Sequence, residues 1–382
     1  MNDIWIIAGE SSGDIYGAEL ARELMRLRPE VHVKGMGGAC MKAAGVDIMV
    51  DSTELGVVGI VEVLKSVPFF LGLLRRMAGR AVVERPSAVV LIDYPGFNLR
   101  LDERLRRLGI PVVYYISPQV WAWKKGRIPR IARDVSRMLC IFPFEPDVYK
   151  GTGLRAEFVG HPLLELLEPY RSMGAARDEN LVLLLPGSRS SELRAHMRIF
   201  IETAAMLRER HPGLHFAMPL PRERTRDLAR RLIAEAGLSD RLGDALEISV
   251  GNARELMARA SAGLAASGTV TVEAAILGLP VVVAYRVSWI TYQIAVRMVK
   301  LPSITIANLV TGRTVYEERL QYDAVPEKMA PALDSILPGG ARREEVLAGM
   351  AECVRMLGHG GNVSRRVAEN VLEVADGTPG GQ

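Results

Sequence analysis

No part of this 382-residue chain holds the run of about 18 uninterrupted apolar residues that a membrane-spanning helix needs. A bilayer-spanning fold is therefore not expected. Cysteine is scarce: Cys40, Cys140 and Cys353 are far apart and odd in number. They form no CxxC pair and no Cys/His ligand set, which argues against a disulfide framework and a structural zinc site and makes a reducing cytoplasm the default. Of the six histidines only His211 and His215 have HxxxH spacing, and "HPGLH" reads as a turn because of Pro212 and Gly213. Lysine is also sparse, so the net charge of +4 is carried mostly by arginine, whose fork suits phosphates and carboxylates. A signal peptide is not expected, because only Asn2 and Asp3 separate Met1 from the strand-like "IWIIAG". Internal repeats and low-complexity blocks are missing as well.

What is present is alternation. Short, continuous apolar runs at Ile4–Ala8, Ala88–Ile92, Val112–Ile116, Met138–Ile141, Leu181–Leu185, His215–Met218, Gly263–Ala266 and Val281–Ala284 read as strands covered on both faces. Amphipathic segments such as Gly13–Leu27, Ser191–Arg210 and Arg222–Ala236 lie between them. That rhythm predicts an α/β fold with parallel sheets. It pauses once, at "LLELLEPYRSMGAARDEN", before a fresh buried strand at Leu181. The expected organisation is a Rossmann-like domain over 1–165, a linker over 166–178, a second Rossmann-like domain over 179–340, two helices over 341–375 and a tail over 376–382. The helices could pack back on the first half or exchange between chains, which leaves a homodimer open. Ligands of doubly wound sheets sit at the carboxyl ends of the strands, so the site is expected in a cleft between two facing domains.

Several strand-to-helix junctions carry chemistry. In "AASGTVTVEAAILGLP", Ser267, Gly268 and Thr269 open a helix directly after a buried strand. Unpaired N–H groups and the positive end of the helix dipole make such a turn an anion site. Glu273, one turn later, is placed for a ribose diol; an ordinary N-cap with an exposed glutamate explains the segment equally well. "LLLPGSRSSE" is a second junction, where Gly187 and Ser188 supply the turn and Arg189 a cation for a leaving phosphate, or else a surface arginine beside a capping serine. "IIAGESSGD" brackets Glu10, Ser11 and Ser12 between Gly9 and Gly13 without being GxGxxG or a Walker loop; "GMGG" at 35–38 is a weaker phosphate-loop candidate. "VVLIDYPGFNLRL" puts Asp93 at the end of a buried strand, where desolvation raises a carboxyl pKa and makes a general base; Asn98 reads as the N-cap of the next helix. "YYISPQVWAWKKGR" sets aromatics and cations after another strand, suited to a sugar face and a phosphate or to a packed aromatic corner. His161 in "FVGHPL" reads as a structural loop histidine. "VPFFLGLLRRMAGR" has almost no polar face over two turns before its arginines, as a core helix or an interfacial helix would.

Taken together and in order, "AGESSGD", "GMGG", "IDYPGFNLRL", "YYISPQVWAWKKGR", "FPFE", "FVGHPL", "LLPGSR" and "SGTVTVEAAILGLPVVVAYR" resemble the lipid-A-disaccharide synthases over residues 4 to about 330. The resemblance implies a GT-B glycosyltransferase fold. It implies transfer of 2,3-diacylglucosamine from UDP to the 6-hydroxyl of 2,3-diacylglucosamine 1-phosphate, with no cofactor, no metal and no nucleic acid. An α-linked donor and a β-linked product require inversion, with Asp93 as the base. Arg189 and the Gly187, Ser188, Ser267, Gly268 and Thr269 turns would hold the diphosphate, Glu273 the ribose, and Asn308 the nucleotide side. Gln321 in "EERLQ" is carried over with Asn308. Glu10, Ser11, Ser12, Gly13, Gln119 and Trp121 fall to the acceptor side. The acylated substrates give Val67, Phe69, Phe70, Leu71, Leu73, Leu74, Arg75 and Arg76 a reason as a patch for anionic lipid on the inner-membrane surface. The segment "LPSITIANLVTGR" departs from the family's shorter "LPN…AGR" spacing. Two rivals remain at this point: a UDP-sugar 2-epimerase on the same fold, and a non-catalytic UDP-sugar or lipid-binding protein.

Overall fold

A computed structural model describes residues 3–52, 60–172, 176–298, 301–358 and 361–377, apart from a few side chains that include those of 60–67. The chain forms two units, Met1–Pro162 with Gly360–Gln382, and Leu163–His359. The first holds strands β1 (Asp3–Ala8), β2 (His32–Gly37), β3 (Asp47–Asp51), β4 (Ala88–Ile92), β5 (Val112–Tyr115), β6 (Arg137–Cys140) and β7 (Ala156–Phe158). They pair in the order β3-β2-β1-β4-β5-β6-β7, and every pairing is parallel. The second unit holds β8 (Asp178–Leu185), β9 (His215–Leu220), β10 (Leu246–Val250), β11 (Ala260–Ala266), β12 (Val281–Tyr285) and β13 (Glu318–Leu320). Their order is β10-β9-β8-β11-β12-β13, again parallel throughout. Each unit is therefore Rossmann-like.

The central strands are the ones whose apolar runs are unbroken. β4 and β5 are buried at every residue, and so is β11. The strands that the apolar runs do not reveal are β2, β3, β7, β10 and β13. Four of these are sheet edges and the fifth lies next to one. An edge strand has solvent on one side and needs no continuous apolar run. β2 is rich in glycine for a steric reason: a Cβ at Gly35 would lie 1.9 Å from the carbonyl oxygen of Ile6 on β1.

In each sheet the chain lays three strands outward in one direction and then crosses back over the first. The reversal falls between β1 and β4 in one unit and between β8 and β11 in the other. Loops diverge at such a switch point and leave a crevice at the carboxyl ends of the strands.

The contact boundary falls after Pro162, and the helix Glu168–Arg171 belongs to the second unit. The terminal helices are divided as well. Arg343–Met356 stays with the second unit, whereas Val363–Ala375 packs in the first against the helix Ser11–Leu27. Arg28 pairs bidentately with Asp376 at 2.7 and 2.6 Å, and buried Arg137 reaches Asn370 Oδ1 and Glu373 at 2.7 Å each. The exposed Arg28 pair is worth under about 1 kcal/mol. Burying Val363, Val367, Val371 and Leu372 contributes roughly 1.5–3 kcal/mol per side chain, so apolar packing is what anchors this helix.

Candidate active site

The crevice of the first unit lies beyond the ends of β1 and β4. Asp93 and Tyr94 follow β4 with φ of 44° and 47°, two successive non-glycine residues in the left-handed region. Each such residue costs roughly 1–2 kcal/mol, and the surroundings supply the restraint. The Asp93 N–H donates to Tyr115 O at 3.0 Å. The Asp93 carbonyl accepts the Tyr114 hydroxyl at 2.7 Å and Asn98 Nδ2 at 2.8 Å, and Asn98 Nδ2 also reaches Ile92 O at 3.2 Å. Pro95 then starts the helix Pro95–Arg107, with Tyr94 rather than Asn98 as its N-cap. Asn98 sits inside the first turn and reaches back to the strand. Ile116, at the end of neighbouring β5, is also left-handed, with φ of 70°. Backbone strain thus gathers along this edge of the sheet, as it does at functional sites.

Tyr94 explains Gly9. A Cβ at Gly9 would lie 2.2 Å from the Tyr94 ring, so only glycine lets that ring cover the loop after β1. Glu10 ends that loop as the N-cap of the helix Ser11–Leu27; Glu10, Ser11 and Ser12 are all exposed, while Gly13 is buried against Ala8 and has a packing role. Burial raises the Asp93 carboxyl to about 6, and the negative charge of Glu10 adds to the rise. A carboxylate of that pKa is ionised at neutral pH and basic enough to take a proton from a hydroxyl. "GMGG" is not a phosphate loop: the Asp14 carboxylate accepts the N–H groups of Gly38, Cys40 and Met41 at 2.6, 2.9 and 3.0 Å.

Gln119 is exposed and caps the short helix Val120–Trp123. Trp121 donates from Nε1 to Glu145 at 3.2 Å and stands edge-on to Phe144, 5.0 Å between centroids. Glu145 is wholly buried, accepts the amides of Ile141 and Phe142, and has its pKa raised to about 7 by burial. It is a support for Trp121 that the aromatic context of "FPFE" conceals. His161 is buried and held neutral, its pKa pushed down to about 3 by burial.

In the second unit, β11 ends at Ala266 and the helix Thr269–Ile276 begins after Gly268, its N-cap. Ser267 commits its N–H to Ala284 O and its hydroxyl to Ile304 O. Gly268 and Thr269 are exposed, and a Cβ at Gly268 would meet no atom within 4 Å. The Thr271 N–H turns back to Gly268 O at 3.1 Å, and the amides of Thr269 and Val270 before it have no acceptor within the helix. The loop after β8 differs from expectation. Glu192 accepts the N–H groups of Ser188 and Arg189 at 2.8 and 3.1 Å, so those amides are already capped. Gly187, at φ 118°, makes room for that carboxylate. What the loop presents instead is the Arg189 side chain, 78% exposed and only loosely paired with Glu192 at 3.2 Å.

His196, invisible as a site residue in the sequence, ties the two sides of this crevice together. Its Nε2 accepts the Arg286 N–H at 3.0 Å, so Nδ1 carries the proton and donates to Pro186 O at 3.0 Å. Burial lowers its pKa, which keeps that tautomer neutral. Glu273 is not a free carboxylate: Oε1 accepts both Nε and Nη2 of Arg254 at 3.1 and 2.9 Å. Asn308 must be corrected outright. Nδ2 donates to Tyr316 O and Glu318 Oε1, and Oδ1 accepts the amides of Val315 and Tyr316. All four of its hydrogen-bonding positions are filled inside the unit, which leaves none for a nucleotide. Gln321 likewise pairs both ways with the backbone of Val287.

The apolar stretch divides along its helix, Ile60–Glu84. Leu73, Leu74, Met77 and Ala81 are buried in the core, with Phe70 packed against them. Leu73 and Leu74 therefore leave the expected patch, because the spacing 70, 73, 74, 77, 81 is one helical face. Phe69 is 49% and Leu71 40% exposed, and Arg75 and Arg76 are exposed beside them. The side chain of Val67 lies outside the described residues. Among the described residues no helix is long and apolar enough to cross a membrane, and no group of three or more His, Cys, Asp or Glu could hold a metal ion.

The family model described as lipid-A-disaccharide synthetase matches residues 4–368. The chain belongs to the lipid-A-disaccharide synthase family. With it, the chain belongs to the glycosyltransferases of lipid A synthesis. It is 42% identical over 381 residues to the lipid-A-disaccharide synthase of Anaeromyxobacter sp. (strain K), covering 98% of this chain and 97% of that protein. It is 39% identical over 378 residues to the one from Myxococcus xanthus (strain DK1622), covering 97% of each. Among solved structures, a UDP-GlcNAc 2-epimerase from Neisseria meningitidis bound to UDP-GlcNAc superposes with a TM-score of 0.65 at 13% identity, over 98% of this chain and 100% of that one. The MurG crystal structure from Acinetobacter baumannii gives 0.58 at 13% identity, over 98% and 100%. At that identity both establish the GT-B type of fold and nothing about the reaction.

Proposed function

We propose that this member of the lipid-A-disaccharide synthase family transfers 2,3-diacylglucosamine from UDP to the 6-hydroxyl of 2,3-diacylglucosamine 1-phosphate in one inverting displacement. The 6-oxygen attacks the anomeric carbon as its proton passes to Asp93. The anomeric C–O bond breaks, and its electron pair leaves with UDP. The observation that carries this reading is Asp93 itself: an acid at a switch point, fixed by a strained turn and tuned by burial to about 6. Glu10, Ser11, Ser12, Gln119 and Trp121 border the acceptor. The open amides after Gly268 and the exposed Arg189 guanidinium meet the diphosphate and stabilise the departing charge. Glu273 offers its remaining oxygen to the ribose while Arg254 holds the other. Phe69 and Leu71, with Arg75 and Arg76, rest on the anionic surface of the inner membrane, where both acylated sugars reside.

The test is incubation with UDP-2,3-diacylglucosamine, with and without 2,3-diacylglucosamine 1-phosphate, read by mass spectrometry. Disaccharide 1-phosphate and UDP appearing only when both substrates are present is the expected result. An altered UDP-sugar formed without acceptor would reassign the protein to epimerisation, and binding without product would make it a carrier.

A further inference from the structure

Among the buried acids that the mechanism leaves unused, one lies on the helix that begins at Asp93's own turn. Asn98 and Asp102 lie one turn apart on Pro95–Arg107, and both are wholly buried. Residues so spaced share a helix face. Asn98 Oδ1 and Asp102 Oδ2 are both buried acceptor atoms without a hydrogen-bond partner. Both hydrogens of Asn98 Nδ2 are engaged by the Ile92 and Asp93 carbonyls, so the amide cannot turn over to relieve its oxygen. Asp102 Oδ1 accepts only the neighbouring Glu103 N–H, at 2.5 Å. An ionised carboxylate so buried, with one oxygen bare, would be strongly unfavourable. Nearby cations make no hydrogen bond to it and are committed elsewhere. Arg106 and Arg133 are bound to Asp134, and Arg130 to Leu99 O and Glu103.

One proton resolves both orphan atoms. We propose that Asp102 keeps its proton in the folded enzyme and donates it from Oδ2 to Asn98 Oδ1. Asp102 is then a positioning residue: it locks the Asn98 amide, which holds the Asp93 carbonyl and with it the left-handed turn that aims the base. Burial is the main cause that lifts the Asp102 pKa to about 7. The groups facing it are Glu103 on its own helix, Arg130, Arg133 and Asp134 on the helix Ile128–Asp134, and the Tyr114 phenol on β5. The Asp134 and Glu103 charges favour the proton and Arg130 opposes it.

The part concerning catalysis rests on Asp93 as the base; the protonation does not. The first test is therefore a carboxyl carbon-13 titration of substrate-free protein, with the Asp102 signal assigned by its loss in Asp102→Asn. Asp102 protonated at pH 6 is expected, and an Asp102 already ionised at pH 5 overturns the proposal whether or not any variant folds. The second test compares pH–rate profiles of the wild type, Asp102→Asn and Asp102→Ala, each with a thermal melt. Asp102→Ala leaves Asn98 Oδ1 bare and should lower kcat by about tenfold or more with KM for the UDP-sugar nearly unchanged. Asp102→Asn, whose amide donates at every pH, should restore most of that loss and abolish the wild type's fall in rate above pH 7. A folded Asp102→Ala with wild-type kcat, or an Asp102→Asn profile that superposes on the wild type, refutes the positioning role. If the wild type forms no disaccharide at all, the titration still decides the protonation and the failure belongs to the transferase reading.

Discussion

The two switch points occupy the same place in two similar sheets, yet they are built from opposite materials. Between β1 and β4 the chain hides a carboxyl, strains the backbone at that residue and the next, and adds a second acid, Glu10, to push its pKa up. Between β8 and β11 it leaves Gly268, Thr269 and the Arg189 guanidinium in the open. The carboxylates near that second crevice are tied down, Glu192 by two amides and Glu273 by Arg254. A base must be partly desolvated to hold a proton near neutral pH. A diphosphate site needs accessible positive potential and no loose negative charge. The contrast teaches that one topology furnishes a position, and the local residues decide whether the position is acidic or electropositive.

The largest effect that would break this comparison is loss of the base proposed at Asp93. Asp93→Asn keeps the shape and removes proton acceptance, so kcat should fall by about 10²–10⁴-fold with UDP binding unchanged by calorimetry. In the wild type, kcat/KM should fall with acid around pH 6, where the Asp93 carboxylate takes up its proton. Full activity in Asp93→Asn, or a profile flat through pH 6, removes proton transfer from the first crevice. Next in size is Arg189→Ala, which should weaken both UDP affinity and kcat by about 10- to 100-fold, the range of a charged hydrogen bond. If Arg189→Ala leaves both untouched, the electropositive character of the second crevice rests on the helix amides alone.

How much of this was readable follows the same division. The place of Asp93 was legible because "VVLI" is an unbroken apolar strand that ends at it and Pro95 opens the next helix. The Ser267–Thr269 turn was legible because strand, small residues and helix follow in order. Asn308 misled, because a single sequence cannot show that its amide would be saturated by Val315, Tyr316 and Glu318. Ser188 and Arg189 misled in part, since the loop that looks like an anion nest is capped by its own Glu192 three and four residues on. His196 was hidden because both its partners are backbone atoms, at Pro186 and Arg286, which lie 10 and 90 residues from it on opposite sides. The edge strands escaped because half-exposed strands carry no continuous apolar signal. The stretch at 67–76 was read as one patch because its hydrophobicity is nearly uniform, and only packing reveals which side is core.

That last ambiguity gives a smaller, sharper comparison within one helix. Phe69→Glu with Leu71→Glu should weaken binding to anionic vesicles by about tenfold while the melting temperature holds, because both side chains are partly exposed. Leu73→Glu buries a carboxylate in the core and should instead destabilise the fold by several kcal/mol. Vesicle binding that survives the double substitution would assign Phe69 and Leu71 to the protein surface alone.

The smallest effect is thermodynamic and inverts the sign of the first. The Asp93 pKa is raised on folding from its ordinary value of 3.8 to about 6. The folded chain therefore binds a proton more tightly than the unfolded one. The stability associated with that proton is fully present below pH 4 and is lost as pH rises through 6. Above that window the ionised carboxylate is a net liability, limited by partial exposure to about 1–2 kcal/mol. Asp93→Asn carries no charge to desolvate, so the variant that loses the reaction should be the more stable protein at pH 8. The difference in unfolding free energy between wild type and Asp93→Asn, followed by denaturant titration, should shrink steadily as the pH is lowered from 8 to 4. A difference that is independent of pH would mean that burial and Glu10 impose no such penalty on Asp93, and the first crevice would lose the tuning that distinguishes it from the second.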